Sequence, residues 1–598
     1  MGPLVAGLMQ RLAFLALSSM FAAALAGCSS GGSGDEEVLP TGTFTPPTGL
    51  PPLSEVHAWW AVDTIESTIV HDPVAKQSSS TTTYAIANRY PGDLPYFELS
   101  TDGMRVTSVT VDGEAAEVQV QENSALINIV FAAKVYNATL PGDVSPGARH
   151  TVVVEAAGWE EDYMLGGGSV GTDLPLSDLQ AFPQLGVVPI PTTYTVPTMT
   201  VHLSRPASWT YVLSAFPTGP AEESGGIVNQ TYQVQSQYLL LFAGKDLPSL
   251  RDVVGGVEVI THYHPDMQVQ GRTLHEMTKR ALQEMQAIMG PFPYPSITTV
   301  PAKVAVNAFS TPGVTTMGLN FYRAIVPFVP QQFGRFAPWV GGGEQYELVV
   351  VHEFTHNWWG HQVANNNSFP ARGINDHYIT EGFTTYLSEV AYYDRVYGRE
   401  DAAASMESKW RDQQQARLTG TDSPVTEQGD YYEKTALALR VLDAHYRYVG
   451  KEAAFLETFR GLYRHAALNH GGSGVLRHEE VVAAFSASYG EDLAPFFATW
   501  LQGIELPDIA VESPDASGAT IANRGAVAVP VEVRFRDAQA NQNVTVLFLE
   551  PGDAVRVEAG LPLPVVHVHA DFDWRLDESS KANNVWGTAP PVVLPVPA

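Results

Sequence analysis

The sequence predicts a multidomain α+β protein with an N-terminal antiparallel β domain, a mainly helical middle domain and a small C-terminal β-sandwich. Three observations carry that prediction. A chain of 598 residues exceeds what one hydrophobic core supports, so two to four domains are expected. Apolar residues alternate with period two up to about residue 254 and again beyond 506. Between those limits they recur at helical spacing instead.

The N-terminus comes first. Arg11 precedes an apolar run from 12 to 25 that is broken only by two serines, and Leu25-Ala26-Gly27-Cys28 closes it. The segment resembles a bacterial lipoprotein signal, which implies removal of residues 1–27, acylation of Cys28 and attachment to a lipid bilayer of the cell envelope. An ordinary secretory signal or an uncleaved anchor is the alternative. Residues 28–53 are rich in Ser, Gly, Pro and Thr, hold few large apolar groups, and read as a flexible tether. No later stretch reaches the roughly 18 apolar residues of a spanning helix.

The expected β domain covers 54–254. Alternation is clear at 105–111 and 198–203, Gly, Pro and Asp punctuate it at short intervals, and 238–242 reads as a buried strand. From 255 to 505 the pattern is helical. Leu274, Met277, Ala281, Leu282, Met285 and Ile288 share a face that stops at Gly290-Pro291, and similar faces recur at 432–448, 451–465, 477–489 and 493–501. Residues 506–598 alternate again at 529–535 and 544–549.

Composition narrows the function. Against 34 Lys and Arg stand 64 Asp and Glu, a net charge of −30 that excludes nucleic acid and an anionic membrane surface as electrostatic partners. The single cysteine allows no intrachain disulfide and no thiolate metal cluster.

The chemistry sits in His352-Glu353-Phe354-Thr355-His356. Residues four apart share a helix face, so His352 and His356 can hold one Zn²⁺ while Glu353 projects beside it as a base. The apolar run 347–351 leads into the motif as a buried helix would. A second helix-like segment, 378–393, carries Glu381 near its start, where a carboxylate can complete the shell. Three protein ligands leave a fourth position for water, the catalytic arrangement of zinc, one ion per chain.

With these motifs placed, the chain resembles the membrane alanyl aminopeptidase family of gluzincins, whose catalytic domain is thermolysin-like. The resemblance rests on Trp358-Trp359-Gly360 after the motif, on Glu381-Gly382-Phe383, on Tyr432-Glu433-Lys434 and on Phe496-Phe497-Ala498-Thr499-Trp500. It implies peptide or protein substrates, Glu353 as general base, Tyr432 as hydrogen-bond donor to the transition state, and Glu381 as third ligand. Read without the resemblance, Tyr432 and its neighbour Tyr431 are equally well core residues. His361 is a neighbour of the shell rather than a member.

Two features depart from the family's pattern. Twenty-four residues, 357–380, separate His356 from Glu381, and the family's spacing would place Asn375 at the ligand position. We read 365–376 as a lengthened loop. The loop with which the family grips a substrate's α-amine matches 312–319, with Gly313 and Val314 ahead of Thr315 where the family has glutamate; Gln184 matches the second amine-binding element. A neutral hydroxyl cannot give the charge-assisted bond, about 1.5 to 3 kcal/mol, that a carboxylate gives an ammonium. The expectation is therefore a zinc metallopeptidase, aminopeptidase-like, with an endopeptidase, an amine-independent hydrolase and a catalytically silent envelope scaffold as alternatives.

Overall fold

The computed structural model describes residues 41–42, 60–72, 77–88, 91–101, 105–121, 134–158, 179–182, 198–234, 241–245, 247–302, 308–318, 322, 343–365, 378–419, 431–469 and 474–588. Cys28 and Gln184 lie outside them, as do residues 366–376 of the lengthened loop and all of the expected tether except Thr41–Gly42, which pair parallel with Val120–Gln121.

Period-two alternation becomes a large N-terminal sheet. Its main strands are β1 (Trp60–Asp72), β2 (Gln77–Asn88), β3 (Arg105–Val111), β4 (Arg149–Ala157), β5 (Thr198–Pro206) and β6 (Ile227–Val234), in the order β6-β5-β1-β2-β4-β3. In β1 the buried positions beyond Asp63 are Ile65, Ser67, Ile69 and His71, each two apart. Both polar side chains find partners: Ser67 and Thr82 share a hydrogen bond of 2.9 Å, and His71 Nδ1 bonds the Tyr211 hydroxyl at 2.6 Å. The expectation of an antiparallel domain needs correcting, for besides Thr41–Gly42 a main strand pairs parallel. β5 runs parallel to β1, Thr198 opposite Thr64 through Ser204 opposite Val70. A hairpin forces antiparallel pairing, but β5 is reached by a long connection and is free of that constraint.

The middle domain opens with a mixed sheet that the helical periodicity did not reveal. β7 (Ser249–Val254) and β8 (Val257–His262) form a hairpin closed by Gly255 and Gly256, both at positive φ (58° and 85°) as a tight hairpin turn demands. The hairpin straddles residue 254, so β7 belongs to the middle domain rather than to the N-terminal one. α1 (Gln268–Met289) then crosses to β9 (Ser296–Ala302), parallel to β8, and the sheet is completed by β10 (Ala308–Thr311) and β11 (Val314–Gly318) in the order β7-β8-β9-β11-β10. The helices are α2 (Gly343–Thr355), α3 (378–396), α4 (Arg399–Thr419), α5 (Glu433–Tyr448), α6 (Glu452–Asn469), α7 (His478–Tyr489) and α8 (494–502).

The C-terminal residues form two antiparallel sheets. β12 (Ile509–Glu512), β13 (Gly518–Asn523) and β16 (Ala554–Glu558) make one; β14 (Val529–Asp537), β15 (Gln542–Leu549) and β17 (Val565–Ala570) belong to the other. Their inner residues Ile509, Ile521, Val531, Phe535 and Val568 lie in the same apolar cluster as the helical domain's Leu437, Val441 and Leu442, whereas the N-terminal sheet has its own. A buried charge network crosses the same joint. Arg575, 2% exposed, pairs with Asp443 of α5 and bonds Asp573 at 3.1 Å, while Arg399 of α4 bonds Asp573 and Glu532, each at 2.9 Å.

Candidate metal centre

α2 is held before it reaches the motif. Glu347 is fully buried, yet it accepts a hydrogen bond from Tyr392 at 2.6 Å, is bonded by Tyr397, and pairs with Arg280 at 2.5 Å. One carboxylate thus ties α2 to α3 and α1. On the apolar side Val350, Val351 and Phe354 are buried; Phe354 stacks on Phe292 with centroids 5.1 Å apart, and Trp358 meets Phe292 edge-on at 5.3 Å. These contacts leave the His352 and His356 face turned the other way.

That face meets α3. The Nε2 atoms of His352 and His356 each lie 3.4 Å from Glu381 Oε2, and one ligand atom from each of the three residues falls within 4.8 Å of the others. His356 Nδ1 donates to the Trp359 carbonyl at 2.9 Å, so its Nε2 keeps a lone pair for a metal. Glu381 Oε2 is buried and has no hydrogen-bond donor. Two imidazole nitrogens converging on a buried, donorless carboxylate oxygen fit Zn²⁺. The lengthened segment before Glu381 therefore does not take that residue away from the histidines.

Ionisation reflects this crowding. Burial works against the His356 charge, but Glu381 and Glu353 lift the ring to about 9. Burial alone would raise Glu381, yet His356 and His352 hold its carboxyl well below the usual range. Glu353 is raised by burial in spite of both histidines, the direction a general base requires. His361, its ring 6.2 Å from that of His356, is driven down to about 3 by burial and by the His356 charge. It stays neutral and stands outside the ligand set.

Tyr432 sits immediately before α5. Its ring lies 6.0 Å from His352, and burial together with the Glu381 and Glu353 charges holds its hydroxyl well above the usual range. Tyr431 instead packs against the apolar cluster, which separates the two tyrosines that the sequence left equivalent. Gly382 explains how α3 and α5 come so close. A Cβ there would stand 2.4 Å from Thr435 Cβ and 2.7 Å from the Tyr431 carbonyl oxygen, so only glycine admits this approach.

The predicted amine-binding residues divide. Gly313 donates its N–H to Asn357 Oδ1 at 2.9 Å, which clamps the β10–β11 turn to the end of the motif helix. Val314 and Thr315 are fully buried strand residues; Thr315 faces Thr299 and Ser310 in register, and its hydroxyl has no hydrogen-bond partner. Sequence reasoning missed Glu347 and Asn357. A lone acid ahead of a valine run was the available signal for the first; the second carried none.

No family model and no curated protein matches the chain. Solved structures do, and they define the class of fold: that of the M1 zinc metallopeptidases. A glutamate-to-alanine mutant of the M1 zinc metallopeptidase from Deinococcus radiodurans aligns over 75% of this chain and 96% of its own with a TM-score of 0.51 at 20% identity. The unmutated Deinococcus enzyme gives 75%, 95%, 0.51 and 20%. The same kind of mutant bound to a Tyr-Ser-Ala substrate gives 75%, 96%, 0.50 and 20%.

Proposed function

We propose that this protein is a zinc-dependent peptidase of the M1 type that removes residues from the N-termini of short peptides. The observation that carries the reading is the convergence of His352, His356 and Glu381 within 4.8 Å, with Glu353 and Tyr432 beside them. The tripeptide substrate of the Deinococcus mutant supports short peptides as the substrate class. Zinc bound there would acidify a water and polarise the scissile carbonyl. Glu353 takes the water's proton and delivers it to the leaving amine; its raised affinity for a proton suits both steps. Tyr432 donates to the carbonyl oxygen as it gains charge.

Thr315 supports a second reading, endopeptidase cleavage, because a buried hydroxyl offers an α-ammonium no charge. We propose envelope attachment through Cys28 alongside either reading. The test is mass-spectrometric cleavage mapping of a peptide library, half N-acetylated, with zinc-loaded protein and a Glu353→Gln control. Trimming of free peptides alone supports the aminopeptidase. Cleavage of both halves supports the endopeptidase, and cleavage that survives in Glu353→Gln overturns the site.

A further inference from the structure

His352 has a second acidic neighbour that the three-ligand motif does not include. While its Nε2 faces Glu381 at 3.4 Å, its Nδ1 faces Glu389 Oε1 at 3.8 Å. Glu389 is in turn paired through Oε2 with the ammonium of Lys409, a residue 5% exposed on the neighbouring helix α4. The order in space is Lys409, Glu389, His352, then the point where the three ligand atoms converge.

Helical arithmetic shows why this placement is unusual. Glu389 lies eight positions after Glu381, and on a regular α-helix that spacing turns the second side chain about 80° away from the first. α3 is not regular. Its hydrogen bonds run five residues back over Tyr378–Gly382 and again over Leu387–Ala391, and each widened turn accommodates one extra residue. One such residue restores the common face, so both carboxylates reach the two nitrogens of a single imidazole.

We propose that Glu389 and Lys409 form a positioning relay that holds His352 with its proton on Nδ1 and its lone pair on Nε2. Glu389 is the acceptor for the Nδ1 proton. Lys409 fixes the Glu389 carboxylate in place. Neither residue touches substrate. The inference rests on the reading of this centre as a zinc site, and it adds to that reading the two side chains that set ligand orientation.

The test measures zinc affinity by chelator competition, alongside kcat and KM at saturating zinc, in wild type, Glu389→Leu/Lys409→Met, Glu389→Gln and Lys409→Arg. The double variant removes both charges together, so no buried ion is stranded and the fold has its best chance of surviving; circular dichroism and Tm check this. Glu389→Gln is close in shape and serves if the double variant does not fold. The relay predicts zinc binding weaker by about 10- to 100-fold in the double variant, a smaller loss in Glu389→Gln, and recovery in Lys409→Arg. It also predicts a fall in kcat with KM unchanged. Affinity within about twofold of wild type in a folded double variant or in Glu389→Gln overturns the relay. Absence of zinc binding by wild type overturns the zinc reading itself, so the two failures are told apart.

Discussion

Replacing Gly382 by alanine adds a single methyl group, and the structure says where the effect lands. The new Cβ would stand 2.4 Å from Thr435 Cβ and Cγ2, against an ordinary contact limit near 3.4 Å, so α3 and α5 must separate by about 1 Å (3.4 − 2.4). Truncating Thr435 cannot relieve the strain, because the Tyr431 carbonyl oxygen also lies 2.7 Å away and belongs to the backbone. Overpacking of this kind costs about 1 to 3 kcal/mol. The sharper consequence is positional. Glu381 precedes the glycine, Tyr432 comes directly after the carbonyl, and the separation opens between them. A misplacement of about 1 Å in a catalytic constellation can cost on the order of 10²-fold in rate. Gly382→Ala should therefore keep its secondary structure, bind zinc more weakly, and lose about two decades of kcat in a peptide hydrolysis assay at saturating zinc. A variant with wild-type Tm and wild-type kcat would show that the two helices are not held at contact distance, and the account of Tyr432 would fall with it.

Three further outcomes are expected. Tyr432→Phe should lower kcat by about 10²- to 10³-fold with KM little changed, since one transition-state donor is lost; a change confined to KM would reassign the residue to substrate binding. Glu353→Gln should retain stoichiometric zinc without turnover and His352→Ala should lose both, as metal analysis beside the assay will show; zinc loss in Glu353→Gln would contradict the division of roles. Metal-stripped protein should lose stability on the alkaline side. His356 is raised to about 9 from an ordinary 6.5, so its contribution is complete below 6.5 and disappears as pH rises through 9, on the order of 3 kcal/mol shared with Glu381. Depressed Glu381 contributes above about 4.5 and loses that contribution in acid. Tm of the stripped protein should peak between those limits, and a Tm flat from pH 6 to 9 would argue against the close His356–Glu381 pairing.

The alternation of β1 and of β14 was legible because one face of each strand is more deeply buried than the other; in β15 it misled, since the alternating Val544 and Val546 are exposed. The zinc motif was legible because His352 lies on the last turn of α2 and His356, one residue past its end, still bonds back to the His352 carbonyl at 3.3 Å, which keeps the two on one face. Other features were written too faintly. β7 to β11 are short strands of four to seven residues, and β11 is buried on both faces, all five of its residues being buried. A strand buried on both faces carries no period-two signal, and four to seven residues are too few to display one clearly. Only Gly255-Gly256 marked the hairpin. Glu389 was hidden by its spacing of eight, which makes sense only once the widened turns of α3 are known. Gly382 could be noticed as part of a phrase, but its reason lies 53 residues downstream at Thr435.

The joint between the helical domain and the C-terminal sheets sets a limit on how this chain can be cut. α5 begins one residue after Tyr432 and, ten residues on, offers Asp443 to Arg575. Ending the protein near 506 would leave Asp443, among the described residues, with Arg440 and Arg447 as its cationic partners at 3.3 and 3.4 Å, and would open the apolar seam where Val441 and Leu442 meet the β-strands. The damage would travel along α5 over about 16 Å, ten or eleven rises of 1.5 Å, to the tyrosine at its other end. The last ninety residues thus serve as the abutment of an arch whose keystone is Tyr432, and on the proposed role of that side chain removing them should be read out first as slower chemistry.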